Sequence, residues 1–119
     1  MIDYHKELVS ILSKILPTHF ELNLTHDVTV PCISYMELND SEEYQGDTLG
    51  YSIIRYQIKV WSTKVSELQS YGQQIDTALR QKGWRRVSAI ELYDTDTAMK
   101  QKVFNYEARF REIYEGEKE

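Results

Sequence analysis

The segment YSIIRYQIKVW, residues 51–61, most constrains the fold of this chain. Its apolar and polar residues alternate, and the apolar set comprises Ile54, Tyr56, Ile58 and Val60, with Arg55, Gln57 and Lys59 between them. Side chains of a strand point alternately to the two faces of its sheet, so this period predicts a strand with one buried and one polar face. Such a strand needs strand neighbours and a layer that covers its apolar face, so the chain is built around a sheet.

Four other segments are predicted to be strands. VFNYEARF (103–110) alternates in the same way, with Phe104, Tyr106, Ala108 and Phe110 on one face. FELNL (20–24) and PCISYMEL (31–38) are shorter, and WRRVSAIELYD (84–94) alternates poorly. The sequence therefore predicts about five strands.

Two segments have the apolar spacing of helices. Tyr4–Leu16 carries apolar residues at helical intervals and is stopped by Pro17. Residues 64–82 form the second helix, which Gly83 ends; Ser62 and Thr63 are both candidates to cap its start, and its apolar stripe is Val65, Leu68, Gly72, Ile75 and Leu79. The order α-β-β-β-α-β-β predicts an α+β fold, in which a mixed or antiparallel sheet has both helices on one face.

Length and composition fit one domain, residues 1–119, with a polar, frayed tail at 115–119. With 41% apolar residues, the chain is expected to bury a core without a metal or a disulfide, and its single cysteine cannot form an internal one. It has no apolar run near the roughly 20 residues that a membrane span needs, and its N-terminus does not read as a signal peptide. A cytoplasmic site of synthesis is expected.

The sequence predicts no catalytic residues, no metal site and no cofactor. His5, His19 and His26 lack the spacing of a zinc motif, and Cys32 has no partner cysteine. Cys32 is expected to be a small residue packed in a strand, not a nucleophile. Sequence-specific nucleic-acid binding is not expected either, because the net charge is −5 and Arg85 and Arg86 are the only adjacent basic pair.

Charge is divided unevenly along the chain. Residues 15–54 contain seven acidic residues and no lysine or arginine, whereas residues 55–119 contain twelve basic and ten acidic residues. Within the acidic half, LNDSEEYQGD (38–47) predicts an unusually long acidic loop at about 39–50, where two to five residues would suffice for a hairpin. This division either arises by chance or provides two surfaces that attract each other between copies.

The chain resembles the tail-terminator or tail-completion (tail-to-head joining) proteins of long-tailed bacteriophages. The resemblance runs from the first helix to Phe110 and rests on the succession of strands and helices. Its most characteristic parts are the strand ending in Val60 and Trp61, the helix leading to Gly83 and Trp84, and the closing residues RF at 109–110. The chain departs from the pattern after Phe110, where REIYE continues the last strand.

The resemblance implies a non-enzymatic virion protein of the tail or neck, assembled in the host cytoplasm. It implies a ring, typically a hexamer, at the head-proximal end of the tail tube. The ring would stop tube growth and contact the head connector, and DNA would pass through its central hole without specific binding. The implied partners are other copies of the chain, the tail tube protein and the head connector protein.

Two surfaces are candidate interfaces under this hypothesis. The acidic loop would order against a neighbouring subunit, the tail tube or the lumen; the alternative is a loop that is merely solvated. Arg85 and Arg86 would meet the acidic half of the next copy; the alternative is an ordinary exposed strand edge. The candidate interface residues in the loop are Asp40, Glu42, Glu43, Tyr44, Asp47 and Leu49.

Two other functions remain open at this level. The first is a cytosolic α+β module that binds a protein or a small ligand as a small homo-oligomer, such as a dimer. An enzyme whose site is built across a subunit interface would also escape recognition in a single chain. Mass measurement separates a ring from a dimer that holds a ligand.

Overall fold

A computed structural model describes residues 4–21, 29–45, 49–93 and 99–111 of the chain. Two helices, α1 (Tyr4–Ser13) and α2 (Val65–Gln81), accompany a sheet of five strands. The strands are β1 (Thr18–Phe20), β2 (Cys32–Gln45), β3 (Leu49–Ser62), β4 (Arg85–Tyr93) and β5 (Lys100–Arg111). The predicted order of elements and the α+β class are confirmed.

The sheet is mixed and has the strand order β1-β2-β3-β5-β4. Strand β1 pairs with β2 in parallel, and every other pair is antiparallel. The long β3 lies at the centre of the sheet, between β2 and β5.

Both helices cover the same face of the sheet. The face presents Tyr56, Ile58 and Val60 from β3, together with Phe104 and Tyr106 from β5, and all five side chains are buried. These are the residues that the alternating pattern placed on the apolar face. They pack with the buried helix residues Leu8, Leu12, Leu68, Ile75 and Leu79.

Helix α2 lies very close to β5 at Gly72. A Cβ atom on this residue would stand 3.0 Å from the ring of Phe104 and 3.4 Å from Lys102 Cδ. The glycine in the predicted apolar stripe therefore permits close packing. Gly83 follows the helix with φ of +90°, in the left-handed region that glycine adopts without strain.

Helix α2 has Lys64 at its N-cap position, without a side-chain cap hydrogen bond, so neither predicted cap, Ser62 or Thr63, occupies that position. Ser62 instead contacts residues around the start of the helix. Its hydroxyl accepts a hydrogen bond from the backbone N–H of Lys64 at 3.0 Å and donates to Glu67 Oε1 at 2.5 Å. Val65, in the first turn of α2, is 38% exposed, so its predicted burial was wrong.

The prediction of an acidic loop at 39–50 is corrected by the structure. Strand β2 continues to Gln45 and β3 begins at Leu49, and the two pair as far as Gln45 opposite Leu49. Because β3 offers paired backbone along its whole length, the acidic sequence is drawn into the sheet despite its low strand propensity. We call the paired residues 39–45 and 49–55 the distal hairpin.

Two other predicted boundaries also moved. Helix α1 ends at Ser13, three residues before its predicted end at Leu16. Strand β1 is Thr18–Phe20, so it shares only Phe20 with the strand predicted at 20–24, and Glu21 is not in a strand. Residues 22–28 and the tail at 115–119 lie outside the described residues.

Candidate assembly surfaces

Strand β4 forms one edge of the sheet and is exposed along almost its whole length. In the part of the chain that the structure describes, only β5 pairs with it. Its large apolar side chains lie in solvent: Val87 is 50%, Ile90 57%, Leu92 45% and Tyr93 53% exposed. Poor alternation in this segment is a sequence feature that could have indicated such exposure, because a strand with both faces open has no buried side to repeat.

Arg85, at the start of β4, is an exposed residue with one ion pair inside the chain. Its Nε lies 3.2 Å from Glu107 Oε2, and Arg55 Nε lies 3.3 Å from the other oxygen of the same carboxylate. The Arg85 side chain remains 72% exposed. Since a guanidinium has five N–H donors, Arg85 retains donors for a second acidic partner.

Arg86 belongs to a tighter network with α2. Its Nη1 lies 3.9 Å from Asp76 Oδ1, which also accepts a hydrogen bond from the Tyr106 hydroxyl at 2.7 Å. Arg80 Nε donates to the other oxygen at 2.8 Å. Partial burial alone would raise the pKa of Asp76, but the hydrogen bonds from Tyr106 and Arg80 hold it below its usual value. Arg86 therefore already takes part in an ion pair within the chain that links β4 to α2.

At the other side of the sheet, the outer edge of β2 is only partly covered. Strand β1 pairs with Ile33, Ser34 and Tyr35, and no other described strand pairs with that edge from Met36 to Gln45. This stretch contains Glu37, Asp40, Glu42 and Glu43. We call Met36–Gln45 the free segment of β2.

The structure places the candidate interface residues in two separate groups. Asp40, Glu42, Glu43 and Tyr44 are in β2 and Leu49 is in β3, whereas Asp47 lies outside the described residues. Arg85 and Arg86 lie at the opposite edge, with β3 and β5 between the two groups. At about 4.8 Å per strand, the edges are roughly 14 Å apart, so the two groups do not meet within one chain.

Three further features of the described residues bear on a reactive cysteine, a metal site and a membrane span. Cys32 is 1% exposed, as predicted for a packed residue, and burial, followed by the nearby Glu21, raises its pKa to about 11. No cluster of three or more potential metal ligands occurs among the described side chains. Neither described helix is long and apolar enough to cross a membrane.

Comparison with known proteins gives a family and a set of similar solved structures. Residues 13–111 match the family model described as "Tail completion protein gp17". A chain from the "Virion of native gene transfer agent (GTA) particle" is similar in fold, with a TM-score of 0.52 and 10% sequence identity over 88% of this chain and 84% of that chain. No curated protein matches the sequence.

Proposed function

Because this chain belongs to the tail completion protein family, we propose that it forms a ring at the head-proximal end of a phage tail tube. The ring terminates growth of the tube and joins the tail to the head connector. Its activity is assembly, without turnover of a substrate. The observation that carries the proposal is the family match, which spans residues 13–111.

The two edges of the sheet support a ring. Subunits of a ring contact each other head to tail, so the two contacting surfaces of one chain must differ. The free segment of β2 is acidic, whereas β4 begins with Arg85 and Arg86. Surfaces of opposite charge on opposite sides of one chain favour this type of closure over a symmetric dimer.

The acidic residues are compatible with passage of DNA through the ring. Negative charge repels phosphate groups, whereas a basic lining would retain the DNA. The distal hairpin contains the acidic residues Asp40, Glu42 and Glu43. We infer that the distal hairpin contacts a neighbouring subunit, the tail tube or the lumen.

The test is capping of tail tubes. Purified chain is added to cognate tail tubes, which are imaged by electron microscopy while more tube protein is supplied. A ring at one end of each tube and arrest of growth at that end are expected. Continued growth with no ring, or a stable dimer that holds a ligand, would reject the proposal.

A variant with a shortened distal hairpin, compared with the wild type in the same capping test, examines the role of that hairpin. Removing residues 42–45 and 49–52 deletes four residues from each strand and leaves residues 46–48 to connect Ser41 with Ile53, which are already paired. Because an even number is removed from each strand, the side-chain faces are preserved. We expect this variant to fold and to lose capping; unchanged capping would exclude the distal hairpin from the function.

A further inference from the structure

The outer edge of β4 has the properties of a strand that another strand covers. Proteins usually protect an exposed edge with proline, inward-pointing charge or a very short strand. Strand β4 is nine residues long and contains no proline. It has a register irregularity between Arg86 and Ser88 and charged residues at Arg85, Arg86 and Glu91, but it still exposes Val87, Ile90 and Leu92. A long apolar edge left in water would aggregate, so its chemistry fits an edge that is paired in the assembled protein.

The free segment of β2 is the matching edge. It is ten residues long, from Met36 to Gln45, against the nine residues of β4. It also exposes an apolar side chain, Leu38, which is 43% exposed. Both edges belong to the same sheet and lie on opposite sides of it, so a second copy of the chain can bring them together.

We propose that β4 of one copy pairs with the free segment of β2 of the next copy, so that the sheet continues across the subunit boundary. The inference rests on the proposed ring and specifies its contact. Within one sheet, β2 and β4 run in opposite directions, because β3 and β5 lie between them and each pair is antiparallel. Copies whose sheets point the same way around a ring therefore present these edges as an antiparallel pair.

Charge and apolar character select a register. With Arg85 opposite Glu43, Arg86 stands opposite Glu42, and Leu92 stands opposite Met36 of the next copy. Strand β4 has one register shift, between Arg86 and Ser88, and β2 has one between Glu37 and Asn39, so the pairs outside the two shifts keep matching faces. Ile90 falls next to Leu38, which lies at the shift in β2. Opposite charges and apolar residues directly across from each other stabilise an antiparallel pair. Glu91 opposite Glu37 is the one unfavourable pair in this register, and Glu91 has Lys102 at 3.5 Å within its own chain.

The same register requires a stagger between successive copies. Arg85 is level with Arg55 of β3, since both pair with Glu107, whereas Glu43 pairs with Tyr51. Pairing Arg85 with Glu43 therefore shifts the next copy by four residues, or roughly 13 Å along the strands. A sheet that closes on itself requires such a stagger, so the proposed contact is compatible with a ring.

Self-pairing of two β4 strands is the competing arrangement. An antiparallel pair of identical strands centred on β4 would place Ala89 opposite Ala89 and Arg85 opposite Tyr93. It would bring no acidic residue of β2 near the arginines and would leave the free segment of β2 uncovered. The charge distribution favours the unlike pair.

Disulfide trapping in the Cys32→Ala background tests the contact. Leu92→Cys protein is mixed with Met36→Cys protein, with cognate tail tubes present, and oxidised. Directly opposed Cβ atoms lie within about 5.5 Å, which a disulfide can bridge. We expect a covalent dimer in the mixture and none from either protein alone; Ile90→Cys with Leu38→Cys is the second pair.

The outcomes separate this inference from the proposed function. Rings that cap the tubes but form neither mixed disulfide would reject the strand pairing and leave the proposed function in place. A covalent dimer from Ala89→Cys protein alone would reject it in favour of β4 self-pairing. Absence of rings on the tubes would reject both.

A charged edge provides an independent measurement. Ile90→Lys places a cation on the apolar edge, whereas Val65→Lys makes the same change at a site 38% exposed in α2. We expect Ile90→Lys to raise the protein concentration needed for ring formation at least about tenfold, and Val65→Lys to leave it unchanged. Equal effects of the two substitutions, or none from Ile90→Lys, would contradict the proposed pairing.

Discussion

The hydroxyl of Tyr106 donates a hydrogen bond of 2.7 Å to the carboxylate of Asp76, and this bond joins the buried face of β5 to α2. Tyr106 is fully buried, whereas the side chain of Asp76 on α2 is partly exposed and forms ion pairs with Arg80 and Arg86. A buried hydroxyl needs such an acceptor. The pair therefore links the core to the charged network that holds Arg86.

Tyr106→Phe is expected to lower the free energy of unfolding by about 1 kcal/mol, because the hydrogen bond is lost while Asp76 keeps its arginine partners. Chemical denaturation of the two proteins measures the difference. Tyr93→Phe is the matched control, since its hydroxyl also bonds a carboxylate, that of Glu91, but on an exposed strand. Equal losses in both variants would show that burial of the bond is unimportant.

Asp76 is expected to make stability depend on pH. Its pKa is lowered in the folded chain, so its contribution is complete above the unfolded value of about 3.9 and is lost as the pH falls through the folded value. The difference in unfolding free energy between the wild type and Asp76→Asn should therefore be larger at pH 7 than near pH 3. A difference that is constant between these pH values would contradict the assignment.

Gly72→Val is expected to destabilise the fold by about 2 kcal/mol, because the added methyl groups meet the ring of Phe104 in a packed interface. Thermal and chemical unfolding measure the loss. Ala78→Val adds a β-branched side chain elsewhere on α2 and should cost only about 0.5 kcal/mol. A loss for Gly72→Val no larger than that for Ala78→Val would contradict tight packing at Gly72, since glycine has the lower helix propensity of the two original residues.

Arg85→Glu is expected to separate assembly from folding. Because Arg85 is largely exposed and Glu107 retains Arg55, the monomer should lose no more than about 1 kcal/mol. Ring formation should fall sharply, since the substitution places an acid opposite the acidic segment of β2. Lys64→Glu makes the same charge change at the start of α2 and should assemble normally; a shared defect would indicate a general charge effect.

Cys32 is expected to resist alkylation in the folded chain. Burial and a pKa of about 11 leave almost no accessible thiolate at pH 8. Iodoacetamide should label the wild type only in denaturant, as mass spectrometry would show. A cysteine at the exposed Ser66 position, introduced into the Cys32→Ala background, should react in the native state. Rapid native labelling of Cys32 would contradict the burial described here.

The sequence predicted the elements that bury one face. The alternation of Tyr56, Ile58 and Val60 and the stripe of Leu68, Ile75 and Leu79 are consequences of a sheet covered by helices on one side, and these residues are buried as expected. The local pattern was sufficient because the residues that recur at the period of a strand or helix all contact the same opposite layer.

The distal hairpin was not predictable from its own residues. Glu42 and Glu43 have low strand propensity, and their pairing depends on β3, which continues to Leu49 and supplies the partner backbone. The partners of Arg85 and Arg86 were also missed, because Glu107 and Asp76 are brought to them only by strand register and helix packing. Such pairs are properties of the tertiary structure.

The strand order also determines how the chain must fold. Strands β2 and β3 are joined through residues 46–48, and β4 and β5 through residues 94–99, so each pair is a hairpin of near neighbours that closes at little entropic cost. The central β3–β5 pair, in which Ser62 meets Lys100, closes a much longer segment that includes α2 and β4. We expect the docking of these two hairpins along this line to be the slow event, so weakening it at Ile58 or Phe104 should slow refolding more than an equal loss of stability in β4.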